Sequence, residues 1–193
     1  MAAYTAIADT GQTLVNLLRD KMCPEPVANP EYIGLCDPRE RGGYVVGVHL
    51  YNVAENAEVR PSGWVSLPDG RVMKPPLSMQ ISYIISVVSK AELATRALDE
   101  QRILGRLAQV LADFSRLPAQ YMSDTLRATG ETPHISLMTL QLEDKVKIWS
   151  MFNEPYRPSL FYTIEPVFIE SAIITTPAPR VVEGTLKSEK LEG

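Results

Sequence analysis

The sequence predicts an α/β (α+β) fold: a mixed or antiparallel sheet of about four to six strands packed with two or three helices. Three observations carry this reading. Leu77, Met79, Ile81, Tyr83, Ile85 and Val87 fall at every second position, with Ser78, Gln80, Ser82 and Ser86 between them, which is the period of a strand with one buried face. Ile103, Leu104, Leu107, Val110, Leu111 and Phe114 recur at three- and four-residue steps, one stripe of an amphipathic helix. Residues 44–53 are apolar on both faces, as in an interior strand covered on both sides.

Taken in order, Tyr4, Ile7, Leu14, Leu17, Leu18 and Met22 keep helical spacing and predict a first helix over residues 6–22. Gly11 within it places an alternative start near Thr10, and Pro24 and Pro26 stop it. Residues 23–43 read as a loop with a short strand at 32–35. Gly47, inside the strand at 44–53, marks a bulge or a close backbone approach. Pro68-Asp69-Gly70 is a turn signal, so residues 61–75 form an exposed hairpin before the strand at 77–87. The next helix starts either at a capping box, Ser89 to Glu92, or near Leu98, and it ends at Leu117-Pro118.

Residues 120–133 are polar and aperiodic. A short strand follows at 134–140, then a helix carrying Leu142, Val146, Trp149 and Phe152, with Glu143 and Asp144 in its first turn. The last strand covers 159–174, where Pro166 implies an edge position or a break. Residues 1–174 thus form one domain, and residues 175–193 are a polar C-terminal tail.

Composition narrows the function. With 19 Lys and Arg scattered among 23 Asp and Glu, the net charge of −4 argues against nucleic acid as a partner. No apolar run reaches the ~20 residues of a membrane span, and the N-terminus lacks a secretory signal, so synthesis in the cytoplasm is expected. Cys23 and Cys36 are expected to be reduced thiols. His49 and His134 have no second ligand at metal spacing, and no nucleophile elbow, phosphate loop or dinucleotide fingerprint is present. Ser78, Ser82 and Ser86 read as a solvated or interface-facing stripe. No catalytic, cofactor or metal site is expected, which favours a structural or binding protein over an enzyme. A polar cluster of Glu55, Glu58, Arg60 and His49 after a strand end is the single enzyme-like alternative.

Four blocks add a resemblance. They are residues 48–56 (Val-His-Leu-Tyr-Asn-Val-Ala-Glu-Asn) with Arg60, and residues 76–86 (Pro-Leu-Ser-Met-Gln-Ile-Ser-Tyr-Ile-Ile-Ser). Residues 100–105 (Glu-Gln-Arg-Ile-Leu-Gly) follow, and Val146-Lys-Ile-Trp149 runs into residues 155–162 (Pro-Tyr-Arg-Pro-Ser-Leu-Phe-Tyr). In this order they resemble the tail-terminator, or cap, proteins of phage-tail-like contractile injection systems. The departures are Gln101, the hairpin at 61–75 and the chain after Ser171. The resemblance implies a tail-terminator-like fold and a ring, expected as a homohexamer, seated on the inner tube or a tube-terminating protein and on the last sheath layer, to end polymerisation and fix length. It implies assembly in the cytoplasm into a particle that is released or anchored. A baseplate or tube-joining adaptor of the same particle is the alternative. Expected interaction residues are Glu55, Asn56, Arg60, Trp64, Tyr156 and Arg157, with the hairpin and the tail as arms. A polar turn could equally hold itself together, and Tyr156 and Arg157 could simply pin a turn.

Overall fold

A computed structural model describes residues 4–59 and 61–176; Arg60 and the tail from 177 onward lie outside the described residues. Helix α1 (Ala6–Met22) begins at the earlier of the two expected starts. Gly11 is retained in its interior because Tyr83 and Leu35 crowd it, so a Cβ there would sit 3.1 Å from the Tyr83 hydroxyl. Thr10 and Thr13, both buried, donate their hydroxyls to the carbonyls of Ala6 and Asp9 at 2.7 Å, which keeps two polar groups satisfied in an apolar layer.

Strands β1 (Ile33–Leu35) and β2 (Val46–Glu55) pair in parallel, and β2 pairs antiparallel with β5 (Leu77–Val87). Between them the expected hairpin forms as β3 (Val65–Ser66) and β4 (Val72–Met73). Helix α2 (Leu93–Asp113) starts between the two expected points. Ser89 does not cap it: its hydroxyl bonds the Asp99 carboxylate and its N–H donates to Glu100 at 3.1 Å, so residues 89–92 are a linker pinned onto the helix flank. The helix stops at Asp113, before Leu117-Pro118.

The aperiodic stretch holds one helical turn, α3 (Asp124–Arg127), capped by the Ser123 side chain. Then come β6 (His134–Leu137), α4 (Leu142–Ser150), β7 (Ser159–Ile169) and β8 (Ile174–Thr175). The main sheet has the order β1-β2-β5-β7-β6, and a second sheet has the order β3-β4-β8. The last strand therefore divides. Its final residues leave the main sheet and close the hairpin into three strands. Pro166 sits in an interior strand at a break: the β5–β7 register shifts between Met79 and Ile81, and β6 pairing begins only at Glu165. The missing N–H falls where neither neighbour needs it.

The core has two unequal layers. Leu14, Leu17 and Leu18 of α1, with Leu107 and Leu111 of α2, pack against Val46, Val48, Ile81, Tyr83 and Ile85 on one sheet face. Ile84, Trp149 and Phe161 form a second cluster on the other face, roofed by α4. Burial overturns one expectation. Ser78, Ser82 and Ser86 are buried within the fold rather than laid out as an exposed stripe. At the opposite extreme Leu77, expected on the buried face, is 45 % exposed because the strand begins beyond the edge of the core.

Candidate functional site

The expected interaction residues separate to the two ends of β5, whose eleven residues span roughly 35 Å. Glu55 and Asn56 lie at the hairpin end, at the close of β2 and just beyond it. Asn56 is buried and fully used. Its Oδ1 accepts from the N–H groups of Glu58 at 3.0 Å and Val59 at 3.2 Å, and its amide donates to Glu165 Oε2 at 2.9 Å. The same carboxylate oxygen accepts from Gln80 Nε2 at 2.9 Å. Asn56 therefore fastens the turn after β2 to the middle of the sheet. Glu55 is exposed and lines a groove with Lys74, Ser78 and Glu170. Arg60 falls outside the described residues.

Trp64 stands 53 % exposed beside β3. Around it the small sheet is unusually apolar for a surface element: Val65, Ile173 and Ile174 are all exposed too. Val65 faces Met73 and Met73 faces Ile174, so these three make one cross-strand row. Exposed apolar groups gathered in one place are the usual mark of a contact surface.

Tyr156 and Arg157 lie at the far end. Tyr156 packs against the cluster of Ile84, Trp149 and Phe161, and Arg157 pairs with Glu154 at 3.5 Å. Arg157 also lines a groove with Arg96, Glu100, Gln101 and Leu104 of α2. Nearby, Arg41 was not singled out from the sequence. Its guanidinium donates to the carbonyls of Tyr44 and Val45, and to the hydroxyl and carbonyl of Ser86, fastening the loop before β2 onto β5. Burial moves its pKa below the usual arginine value. Lone Arg and Ser positions so far apart in sequence carry no local pattern that would have marked them.

The enzyme-like alternative loses its geometry. His49 sits six positions from Glu55 on β2, roughly 20 Å away along the strand. Its ring meets Phe152 edge-on at 4.8 Å and its Nδ1 lies 3.1 Å from the Cys36 carbonyl. Burial lowers its pKa. Both thiols are unpaired, and burial raises the pKa of each. Among the described residues no group of three metal-ligating side chains comes together, and no helix is long and apolar enough to cross a membrane.

These features define an α/β domain with separate surface patches at the two ends of one sheet, rather than one converging site. The chain belongs to the Pvc16 N-terminal domain family, whose model matches residues 9–183. Among solved structures it is similar to the sheath/tube terminator of the extracellular contractile injection system PVC, in its extended state, with a TM-score of 0.63 and 14 % identity over 96 % of this chain and 65 % of that one. It is also similar to the tube-terminating cap of the anti-feeding prophage, with a TM-score of 0.59 and 16 % identity over 94 % of this chain and 61 % of that one. The chain spans about two thirds of the length of these relatives. No curated protein sequence matches it.

Proposed function

We propose that this protein is a structural cap of a contractile injection system, ending tube and sheath growth. The observation that carries the reading is the fold likeness, which runs through nearly the whole chain and reaches two terminators from two different particles. On this reading the domain assembles into a homohexameric ring on the inner tube, with the last sheath layer as a second neighbour, and acts without catalysis. Assembly takes place in the cytoplasm, into a particle that is released or anchored. A ring needs two different patches that meet around an axis. The apolar small sheet and the Arg157 groove, at opposite ends of β5, supply two such patches. Trp64 and Glu55 then belong to one contact surface and Tyr156 and Arg157 to the other.

Deleting the gene in a particle-producing host tests the role. A cap leaves particles of uncontrolled length when it is lost, seen by negative-stain imaging. Loss of all particles would instead identify a baseplate or tube-joining adaptor. A purified protein that stays monomeric at micromolar concentration and binds neither tube nor sheath contradicts both.

A further inference from the structure

We propose that the open edge of β2, from Leu50 to Ala54, accepts a β-strand donated by residues 180–186 of a second copy of this chain. The proposal rests on the ring reading, because it needs a neighbouring copy. Strand β1 covers only Val46–Val48 of β2, and the last bond across that pair runs from the Cys36 N–H to the Val48 carbonyl at 3.1 Å. Beyond it β2 continues to Glu55 with β5 alone beside it. The register shifts between Leu50 and Asn52, so Tyr51 is a bulge. Asn56 donates to the Ser78 carbonyl at 2.8 Å, which fixes the alternation after the bulge. Residues 52 and 54 therefore turn their backbone groups toward β5, while Leu50 and Val53 turn theirs outward. No described strand meets those groups.

The side chains at this edge fit an incoming strand. Leu50 pairs with Tyr83 and Val53 with Ile81, so both face the α1 side of the sheet. There an apolar groove runs beside the edge, lined by Tyr4, Ile7, Leu35, Leu50 and Tyr83. Its rim is left open to water: Tyr4, Leu35 and Val53 are all exposed. An extended segment continuing the line of β1 would pair its backbone with Leu50 and Val53 and lower every second side chain into this groove.

The chain itself holds a matching segment. Strand β8 runs antiparallel to β4, with Ile174 opposite Met73 and Thr175 opposite Val72, so the chain leaves the domain toward the hairpin tip at Pro68-Asp69-Gly70. Residues 177–193 follow, which can reach ~55 Å when extended. Within them Arg180-Val181-Val182-Glu183-Gly184-Thr185-Leu186 carries β-branched residues, and period two sets Val182, Gly184 and Leu186 on one face. On this proposal Val182 and Leu186 supply the apolar side chains for the groove.

Two complementary variants test this. Val53→Pro removes an outward N–H and keeps the β5 pairing, which leaves a chain that donates but cannot accept. A chain ending at Thr176 accepts but cannot donate. Neither alone should pair with its own copies through this edge, and mixing the two should add a one-to-one complex that neither forms alone, read by mass photometry. In that complex the Leu50 and Val53 amides of the shortened chain should exchange about tenfold more slowly. A synthetic peptide of residues 177–193 should compete. If Val53→Pro does not fold, Leu35→Glu, at an exposed position in the groove, replaces it. No complex, no peptide binding and unchanged exchange overturn the proposal, as does slow exchange in the intact chain that persists on dilution, which means a chain fills its own edge. Because peptide binding is read without ring or particle formation, its failure leaves the cap reading standing, and particles of normal length in the deletion strain would remove that reading independently.

Discussion

The indole Nε1–H of Trp149 donates to Ser159 Oγ at 3.0 Å, and Ser159 in turn donates to the Arg157 carbonyl at 3.1 Å. One buried bond thus ties α4 to the first residue of β7 and sets the turn that carries Arg157. Trp149→Ala should cost about 3–5 kcal/mol, since it empties the centre of the second cluster. Ser159→Ala, which leaves the indole donor buried without its partner, should cost about 1–3 kcal/mol. Urea denaturation of both variants checks the order of the two effects.

Glu165 holds the other end in the same manner. Glu165→Ala leaves the Asn56 and Gln80 amides without their shared acceptor, and a loss of about 2 kcal/mol is expected. Amide exchange at Glu58 and Val59 should rise at the same time, because Asn56 is then no longer anchored where it accepts their N–H groups. A stability loss with no change in that turn would mean Glu165 acts only through Gln80.

Much of the fold was legible because its signals are local. The alternation at 77–87 and the stripes of α1, α2 and α4 are periods that a side chain's neighbours in sequence reveal. What lay out of reach was destination. The α4 stripe with Trp149 announced a helix, and nothing near the serines of β5, small polar groups that look solvated in an alternating pattern, said that Arg41, 45 positions away from Ser86, would close over one of them. The bond from Asn56 to Glu165 crosses 109 positions, and β8 is a two-residue strand whose partner lies about a hundred residues earlier in the chain. The expected interaction residues suffered the same way: Asn56 has the polarity of a contact residue and the burial of a clamp.

Gly47 is a position where close approach, not a bulge, explains the glycine. A Cβ there would lie 2.7 Å from Cys36 Sγ and 3.2 Å from the Arg41 guanidinium carbon. Gly47→Ala should therefore cost about 1–3 kcal/mol. Combining it with Cys36→Ala should cost less than the sum of the two single changes, because the sulfur that clashes is gone. A double-mutant cycle in guanidinium measures the difference, and strict additivity would place the strain on Arg41 alone.

His49 gives stability a pH dependence whose sign is fixed. Burial lowers its pKa from the ordinary value of 6.5, so the folded protein binds its proton less readily than the unfolded chain does. Stability from this residue is complete above pH 6.5 and is lost as pH falls from there through the lowered folded-state value. Urea midpoints should drop between pH 6.5 and 5, and His49→Asn should flatten that slope. The effect is modest because His49 is only partly buried.

The small sheet supplies the functional prediction. Trp64 is exposed, outside both core clusters, and beside a row of apolar side chains running from Val65 through Met73 to Ile174. Trp64→Glu should leave the unfolding free energy within about 0.5 kcal/mol of the parent, as for surface changes that break no bond. If this sheet is a contact surface of the cap, placing a charge in it should lower the fraction of capped particles and broaden their length distribution. Complementing the deletion strain with the variant and measuring particle lengths reads that directly. Normal lengths with normal stability would remove the small sheet from the contact surface and leave the Arg157 end to be tested in its place.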